Sequence, residues 1–227
     1  MRRNPSSAAL LVALALAGCG ENAAENVPKA VIAPAKPIAP NTIDAPATTA
    51  APAVSATPVP AGALAITPVT SKIEFVGSKK VGESHKGGFK MFNGVVEMVP
   101  GKPEVKSISV DIDTASIFAD NDKLTGHLKN QDFFEVTKFP TAKFVTTEIK
   151  TGGDKGATHT IVGNLTLHGV TKSITIPAVV KVEGDALTLK SEFALNKNDF
   201  GMTFGGPGGV IRKEVVIRLD IKAAKGA

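Results

Sequence analysis

The chain has 227 residues and a formal net charge of +5, from 26 Lys and Arg against 21 Asp and Glu. The basic residues are dispersed, which excludes the clustered basic stripe that nucleic-acid binding needs. All 11 Phe lie at or after Phe75, and there is no Trp or Tyr, so the first quarter lacks core-building residues. We therefore expect one folded domain preceded by a tail.

Residues 1–19 have the features of a bacterial export signal. Two arginines precede an apolar run, Ala8 to Leu16, that is too short to span a bilayer as a stable helix. The run ends in Leu-Ala-Gly-Cys, which resembles the lipobox of bacterial lipoproteins and implies acylation of Cys19, the only cysteine. Gly20 follows it, a pattern that favours the periplasmic side of the outer membrane. The alternative is an ordinary secretory signal with a chance cysteine.

Residues 20–63 are rich in Ala, Pro, Val and Thr. Proline removes backbone donors and favours extended conformers, so this segment is expected to be a disordered, semi-rigid tether. Either the tether lets the domain work at a distance from its anchor, or its length has no role.

Residues 64–227 are expected to form the folded domain, and most of it alternates between apolar and polar residues. Ile108, Val110 and Ile112, for example, share one face of a strand whose other face is polar. Eight strands are predicted near 72–75, 87–94, 105–113, 142–149, 160–168, 172–182, 186–195 and 214–222. Strands at this spacing, without a βαβ rhythm, indicate an all-β antiparallel barrel or sandwich. Period two alone does not distinguish the two.

The interval from Asp120 to Gln131 interrupts the alternation with a spacing of three and four, which predicts a short amphipathic helix. Asp120 or Asp122 is expected to cap it, because an Asp oxygen accepts amide protons of the first turn. Phe139-Pro140 then favours extended backbone, so a strand should follow. We expect the helix to lie over the sheet as a lid.

Three blocks resemble the YceI family of bacterial periplasmic proteins. They are His-Leu-Lys-Asn-Gln-Asp-Phe-Phe at 127–134 with Lys-Phe-Pro-Thr-Ala-Lys-Phe at 138–144, Gly-Asn-Leu-Thr-Leu-His-Gly-Val-Thr-Lys at 163–172, and Asn-Asp-Phe-Gly-Met at 198–202. The resemblance implies a lipocalin-like, antiparallel, eight-stranded β-barrel that takes a long isoprenoid or other acyl chain into its lumen. Two features depart from the family: Thr125-Gly126 stands where relatives commonly carry Arg-Asp, and the lipobox and tether are additional.

The side chains expected to line the lumen are aromatic or leucine. They are Phe75, Phe89, Phe92, Leu128, Phe133, Phe134, Phe144, Leu165, Leu167, Phe193 and Phe200. An apolar tunnel removes a hydrocarbon tail from water at about 0.8 kcal/mol per methylene. The alternative is that these side chains simply fill the barrel.

The polar residues offer little for chemistry. The four histidines have no zinc-binding spacing, so neither a metal nor a cofactor is expected. His127 and Asp132 at the lid, and His168 in the turn before Gly169, are expected to serve as hydrogen-bonding groups. Ser84-His85 lacks a nucleophile elbow, and no catalytic residue is assigned. The glycines at 205–209 predict a flexible loop, with a gate at the barrel mouth as the alternative.

The sequence therefore predicts a non-enzymatic protein that carries or sequesters a long apolar lipid. Its expected partners are that lipid and, through acylated Cys19, the membrane; a homodimer stays open. Two other functions are left open: a scaffold or adhesion module with a filled barrel, and a hydrolase acting on a lipid.

Overall fold

The computed structural model describes residues 22–38, 59–60 and 62–225. The predicted signal segment with Cys19, and most of residues 39–63, lie outside this part. The described elements are β1 Val31–Pro34, β2 Leu64–Ile66, β3 Lys72–Lys79, β4 Ser84–Phe89, β5 Phe92–Met98, β6 Val105–Asp113, β7 Ile117–Ala119, helix α1 Asp122–Leu128, β8 Thr141–Thr151, β9 His159–Leu167, β10 Val170–Glu183, β11 Ala186–Asn196 and β12 Ile211–Lys225. Among these elements, no helix has the length and apolar character needed to cross a membrane.

The strands form a closed antiparallel barrel of eight, as predicted. Successive pairings run β2–β5–β6–β8–β9–β10–β11–β12 and back to β2, which closes the ring. Strands β3, β4 and β7 continue β2, β5 and β6 toward one end of the barrel. The opposite end of the barrel, which we call the far end, is packed by Leu64, Ile66 and Leu187, each at most 2% exposed.

The predicted single strand at 87–94 is wrong, because the chain turns a corner at Lys90 and Met91. The backbone N–H of Lys90 donates to the carbonyl of Ser116, and that of Met91 to the Ser116 hydroxyl. These bonds replace ladder pairing and divide the segment into β4 and β5. The neighbouring strand breaks at the same level, between β6 and β7.

The lid is present, but its helix is shorter than predicted and has a different cap. Helix α1 begins at Asp122 and ends at Leu128, and the Asn121 side chain accepts the N–H groups of Lys123 and Leu124 at 2.9 and 3.2 Å. The prediction of an Asp cap is wrong because the Asp120 carboxylate is engaged by the neighbouring strand β4, which pairs with β7. Turns follow α1, and β8 begins directly after Pro140, as expected.

Residues 22–38, which we call the strap, lie against the outside of the barrel. Strand β1 pairs antiparallel with residues 172–175 of β10. Just before it, the Ala30 N–H donates to the Ala194 carbonyl, and the Ala194 N–H to the Pro28 carbonyl, at 2.9 and 2.8 Å. The strap therefore fills the space where β10 and β11, which pair only over 179–183 and 186–190, move apart.

The strap is held at both of its ends. At its beginning, buried Ala24 packs on an outward-facing apolar patch of Val76, Ala194 and Val216. At its other end, the Asn164 amide exchanges two hydrogen bonds with the backbone of Lys36, at 3.0 and 2.7 Å. Residues 22–38 were expected to be part of a disordered, semi-rigid tether, whereas strand β1 pairs with β10. Backbone pairing to a strand edge needs no alternation of side chains, so the sequence carries no pattern for it.

Candidate functional site

A cavity of about 610 Å³ occupies the inside of the barrel. Nine of the residues predicted to line a lumen lie on its wall: Phe75, Phe89, Leu128, Phe133, Phe134, Phe144, Leu165, Leu167 and Phe193. Alternation explains most of them, since every second residue of a barrel strand faces inward. The cavity follows β12 from Ile211 to Ile221, which is about 30 Å of strand. It is therefore elongated.

Phe92 and Phe200 are not on the cavity wall, contrary to prediction. Both are buried in the surrounding core, at 3% and 0% exposure. Phe200 lies on a 3-10 helix, Lys197–Phe200, after the end of β11, so strand alternation does not apply to it. Phe92 comes directly after the corner at Lys90 and Met91, where the strand pattern restarts.

Aromatic rings close the cavity at the lid end, which we call the mouth. The His127 ring lies 5.2 Å from Phe133 and 5.3 Å from Phe204, and these two phenyl rings are 5.5 Å apart, all edge to face. The His127 Nε2 lies 2.8 Å from the Asp132 carboxylate, which fixes the imidazole. His127 and Asp132, the two polar residues expected at the lid, thus contact each other there, and Asp132 itself is outside the cavity wall.

Phe204 was not anticipated, and neither was the buried cation that positions it. Lys197 is 6% exposed, and its ammonium donates to the carbonyls of Met202 and Phe204, both at 2.7 Å. Burial lowers the pKa of Lys197 below its ordinary value, because a charged amine loses its hydration there. The two bonds hold the segment after the 3-10 helix across the mouth. A lysine within a polar run carries no sequence signal for this role.

His168 lies outside the cavity, in the tight turn between β9 and β10. It and Gly169 have positive φ angles of 50° and 74°, as the predicted turn requires. Its Nδ1–H donates to the Phe200 carbonyl at 3.3 Å, and its ring packs on Phe139 with centroids 4.5 Å apart. Through these contacts His168 joins the turn to Phe200 after β11 and to Phe139 in the segment that follows the lid.

Polar groups that reach the cavity are gathered at the mouth. His85 on β4 lies on the wall, and its Nδ1 is 3.0 Å from Asp120. The backbone N–H of Lys86 donates to the same carboxylate and holds the pKa of Asp120 below its ordinary value. Toward the far end, the wall is made of residues such as Ile66, Val96 and Leu187. The cavity thus has one polar end and one apolar end.

The described residues contain no group of three or more His, Cys, Asp or Glu that could hold a metal ion.

The remaining wall of the cavity comes from strands that were predicted but given no lining role, chiefly β12 with Val215, Ile217 and Leu219. Their alternation was visible in the sequence. Aliphatic residues thus line the wall as phenylalanine does, because strand alternation turns a side chain inward whatever its type.

A closed antiparallel barrel of eight strands around an elongated apolar cavity has the architecture of the lipocalin-like proteins. Within that class, the chain belongs to the family described as the YceI-like domain, whose model matches residues 64–223. The resemblance of the three sequence blocks is therefore confirmed.

Relatives support the same assignment. A UPF0312 protein of Pseudomonas putida strain F1 is 41% identical over 128 residues, which is 54% of this chain and 65% of the relative. A UPF0312 protein of Pseudomonas fluorescens is 37% identical over 127 residues, 53% of this chain and 65% of the relative. The chain thus spans about 65% of the length of the curated relatives it matches.

Two solved structures share the fold. BcnA of Burkholderia cenocepacia has 24% identity and a TM-score of 0.60, with 70% of this chain and 99% of that chain covered. A polyisoprenoid binding domain from Saccharophagus degradans has 16% identity and a TM-score of 0.57, with 73% and 99% covered.

Proposed function

We propose that the barrel binds one long apolar lipid, a polyisoprenoid or a similar chain, and carries or sequesters it at the periplasmic face of the outer membrane, anchored through acylated Cys19. The observation that carries the proposal is the cavity of about 610 Å³, apolar along its length and polar only at the mouth. Its volume lies within the range of small-molecule sites.

The cavity supplies a free energy of binding without any specific polar contact. Each methylene moved from water to an apolar wall contributes about 0.8 kcal/mol, so a five-carbon isoprene unit contributes about 4 kcal/mol before ordering costs. An elongated lumen suits a linear tail better than a compact ligand. The polar mouth leaves a place where a head group stays hydrated.

The shared fold with the polyisoprenoid binding domain of Saccharophagus degradans supports this choice of ligand class. The scaffold alternative needs a barrel filled by side chains, and an apolar space of this size argues against it. The binding protein we propose has no catalytic step.

The hydrolase alternative has no support in the contacts of its best candidate residues. The Ser84 hydroxyl lies 2.9 Å from the Ser78 hydroxyl, and His85 is engaged with Asp120. An activated serine instead needs its hydroxyl against a base. This geometry favours a carrier.

The test compares two half-buried phenylalanines, one on the cavity wall and one on the outside of the barrel. Phe134 lines the cavity, whereas Phe118 lines a shallow groove on the outer face. Phe134→Asp places a carboxylate against the tail and should abolish retention of an added polyprenyl lipid, while Phe118→Asp should retain it. Circular dichroism checks that both variants are folded.

Mass analysis of the recovered lipid separates the functions. Chemically intact lipid from the wild type and Phe118→Asp, and none from Phe134→Asp, is the expected result. Equal retention by two folded variants would show that the lipid binds elsewhere. A cleaved or modified product from the wild type would show an enzyme.

A further inference from the structure

The strap determines which end of the barrel an anchor at Cys19 can reach. Cys19 is three residues before Asn22, where the strap begins, and three residues span at most about 11 Å. The start of the strap packs on Val76 and Val216. From Val216 the far end of β12, at Lys225, is about 30 Å away along the strand. An acyl anchor at Cys19 therefore belongs to the mouth half of the barrel.

One side of the mouth is a continuous edge that we call the rim, formed by the β3–β4 hairpin at 79–84 and the loop at 205–213. The Lys80 N–H donates to the Val210 carbonyl at 2.7 Å. The Arg212 guanidinium donates to the carbonyls of Lys79 and Lys80, both at 3.1 Å. The rim is thus one hydrogen-bonded unit, and Lys79, Val210 and Arg212 also line the cavity.

The rim combines exposed apolar side chains with positive charge. Val81 at the hairpin tip is 88% exposed, and Val210 beside it is 41% exposed. The rim has four cations (Lys79, Lys80, Arg212 and Lys213) and one carboxylate, Glu83, so its net charge is 4 − 1 = +3. Glu83 lies 3.7 Å from Lys79, and Lys213 lies 3.9 Å from Glu214 on β12. Valines flanked by Lys and Arg are the chemistry of a surface that inserts shallowly into an anionic bilayer.

We propose that the rim docks on the phospholipid bilayer, so that the strap and the anchor hold the barrel mouth-down on the membrane. Lipid then passes between bilayer and lumen without crossing water. This inference rests on the proposed function, both on acylation of Cys19 and on a lipid-binding lumen. A domain docked in this way does not work at a distance from its anchor, which was one alternative for the tether, because residues 22–38 are bound to the barrel.

The test places a fluorophore on the rim of the full-length, membrane-anchored protein. Acylated Cys19 has no free thiol, so Val81→Cys accepts a single environment-sensitive label. Val69→Cys is the matched control, since Val69 is 90% exposed but lies between β2 and β3, at the level of Lys222 on β12. In vesicles of phosphatidylcholine and phosphatidylglycerol, the label at 81 should shift to the blue and be quenched by spin-labelled lipid. The label at 69 should do neither.

Lipid transfer supplies the second readout. The variant Val81→Asp should take polyprenyl lipid from the same vesicles at least about tenfold more slowly than the wild type. Val69→Asp should transfer at the wild-type rate. In detergent solution the wild type and both variants should bind equal amounts of lipid, because neither Val81 nor Val69 lies on the cavity wall.

Three results would overturn the proposal, and they differ in what else they refute. Equal fluorescence at 81 and 69, with normal binding in detergent, refutes the docked rim alone. A reactive thiol at Cys19 in the wild type refutes the anchor, and the docked orientation with it. Failure of the wild type to bind lipid even in detergent refutes the lipid-binding lumen.

Discussion

Ala142 tests whether the lumen is open space. This residue is 2% exposed and lies on the cavity wall at the start of β8. Ala142→Leu adds three carbons, which gain about 2.4 kcal/mol from apolar burial and lose about 0.5–1 kcal/mol of rotamer freedom. The free energy of unfolding of the lipid-free protein should therefore rise by about 1.5 kcal/mol. The added carbons take space from the tail, so lipid affinity should fall by roughly 50-fold.

Ala178 provides the matched control. It is also 2% exposed, but it packs in the core and is not on the cavity wall. Ala178→Leu should overpack and destabilise the protein by about 1–3 kcal/mol. Urea titration of delipidated protein measures both changes, and a constant m value confirms that the states compared are the same. If Ala142→Leu destabilises the protein as much as Ala178→Leu does, the space beside β8 is filled and is not a cavity.

Three other predictions concern the anchor and two polar groups. Cys19→Ala should move the protein from the detergent phase to the aqueous phase in phase partitioning; unchanged partitioning would exclude the lipoprotein anchor. Asp120→Asn should cost less than about 1 kcal/mol at pH 7, since the carboxylate is largely exposed. The N–H of Lys86 lowers the pKa of Asp120 in the folded protein. The stabilisation by this carboxylate is therefore present above the ordinary pKa of 3.8 and is lost as pH falls through the folded pKa. Urea titrations of Asp120→Asn and the wild type should converge in acid, and a difference that stays constant with pH would contradict the assignment. Lys197→Met should lower the free energy of unfolding by about 1–3 kcal/mol, because the carbonyls of Met202 and Phe204 lose their donor. Hydrogen exchange should rise at 201–204, and unchanged exchange there would exclude the positioning role.

The barrel strands could be predicted because one face of each strand is buried, which leaves a period-two pattern in the sequence. The lid helix left a weaker record. The seven residues of α1 make fewer than two helical turns, which is too short for a clear periodicity. The three adjacent residues from Asp120 to Asp122 are also all of types that cap helices well. Only the tertiary contact of Asp120 with β4 decides that Asn121 is the cap.

The strap could not be predicted from local pattern. Its hydrogen bonds join residues more than a hundred positions apart, as between Lys36 and Asn164. On the strap side these bonds use backbone groups, which every residue has. The only trace was the outward-facing apolar pair Val76 and Val216, which a solvent-facing surface does not require. Phe204 was missed for a similar reason, since the buried Lys197 that positions it has the sequence context of a solvated loop.

Mass spectrometry of an organic extract tests most directly whether the lumen holds a long apolar lipid, with the full-length protein purified from its own membranes. We expect one chemically intact long-chain lipid, isoprenoid in character, in near-stoichiometric amount, and its loss from folded Phe134→Asp but not from Phe118→Asp. A wild-type extract without such a lipid, from a protein that also takes up none when it is supplied, would contradict a lipid-binding lumen.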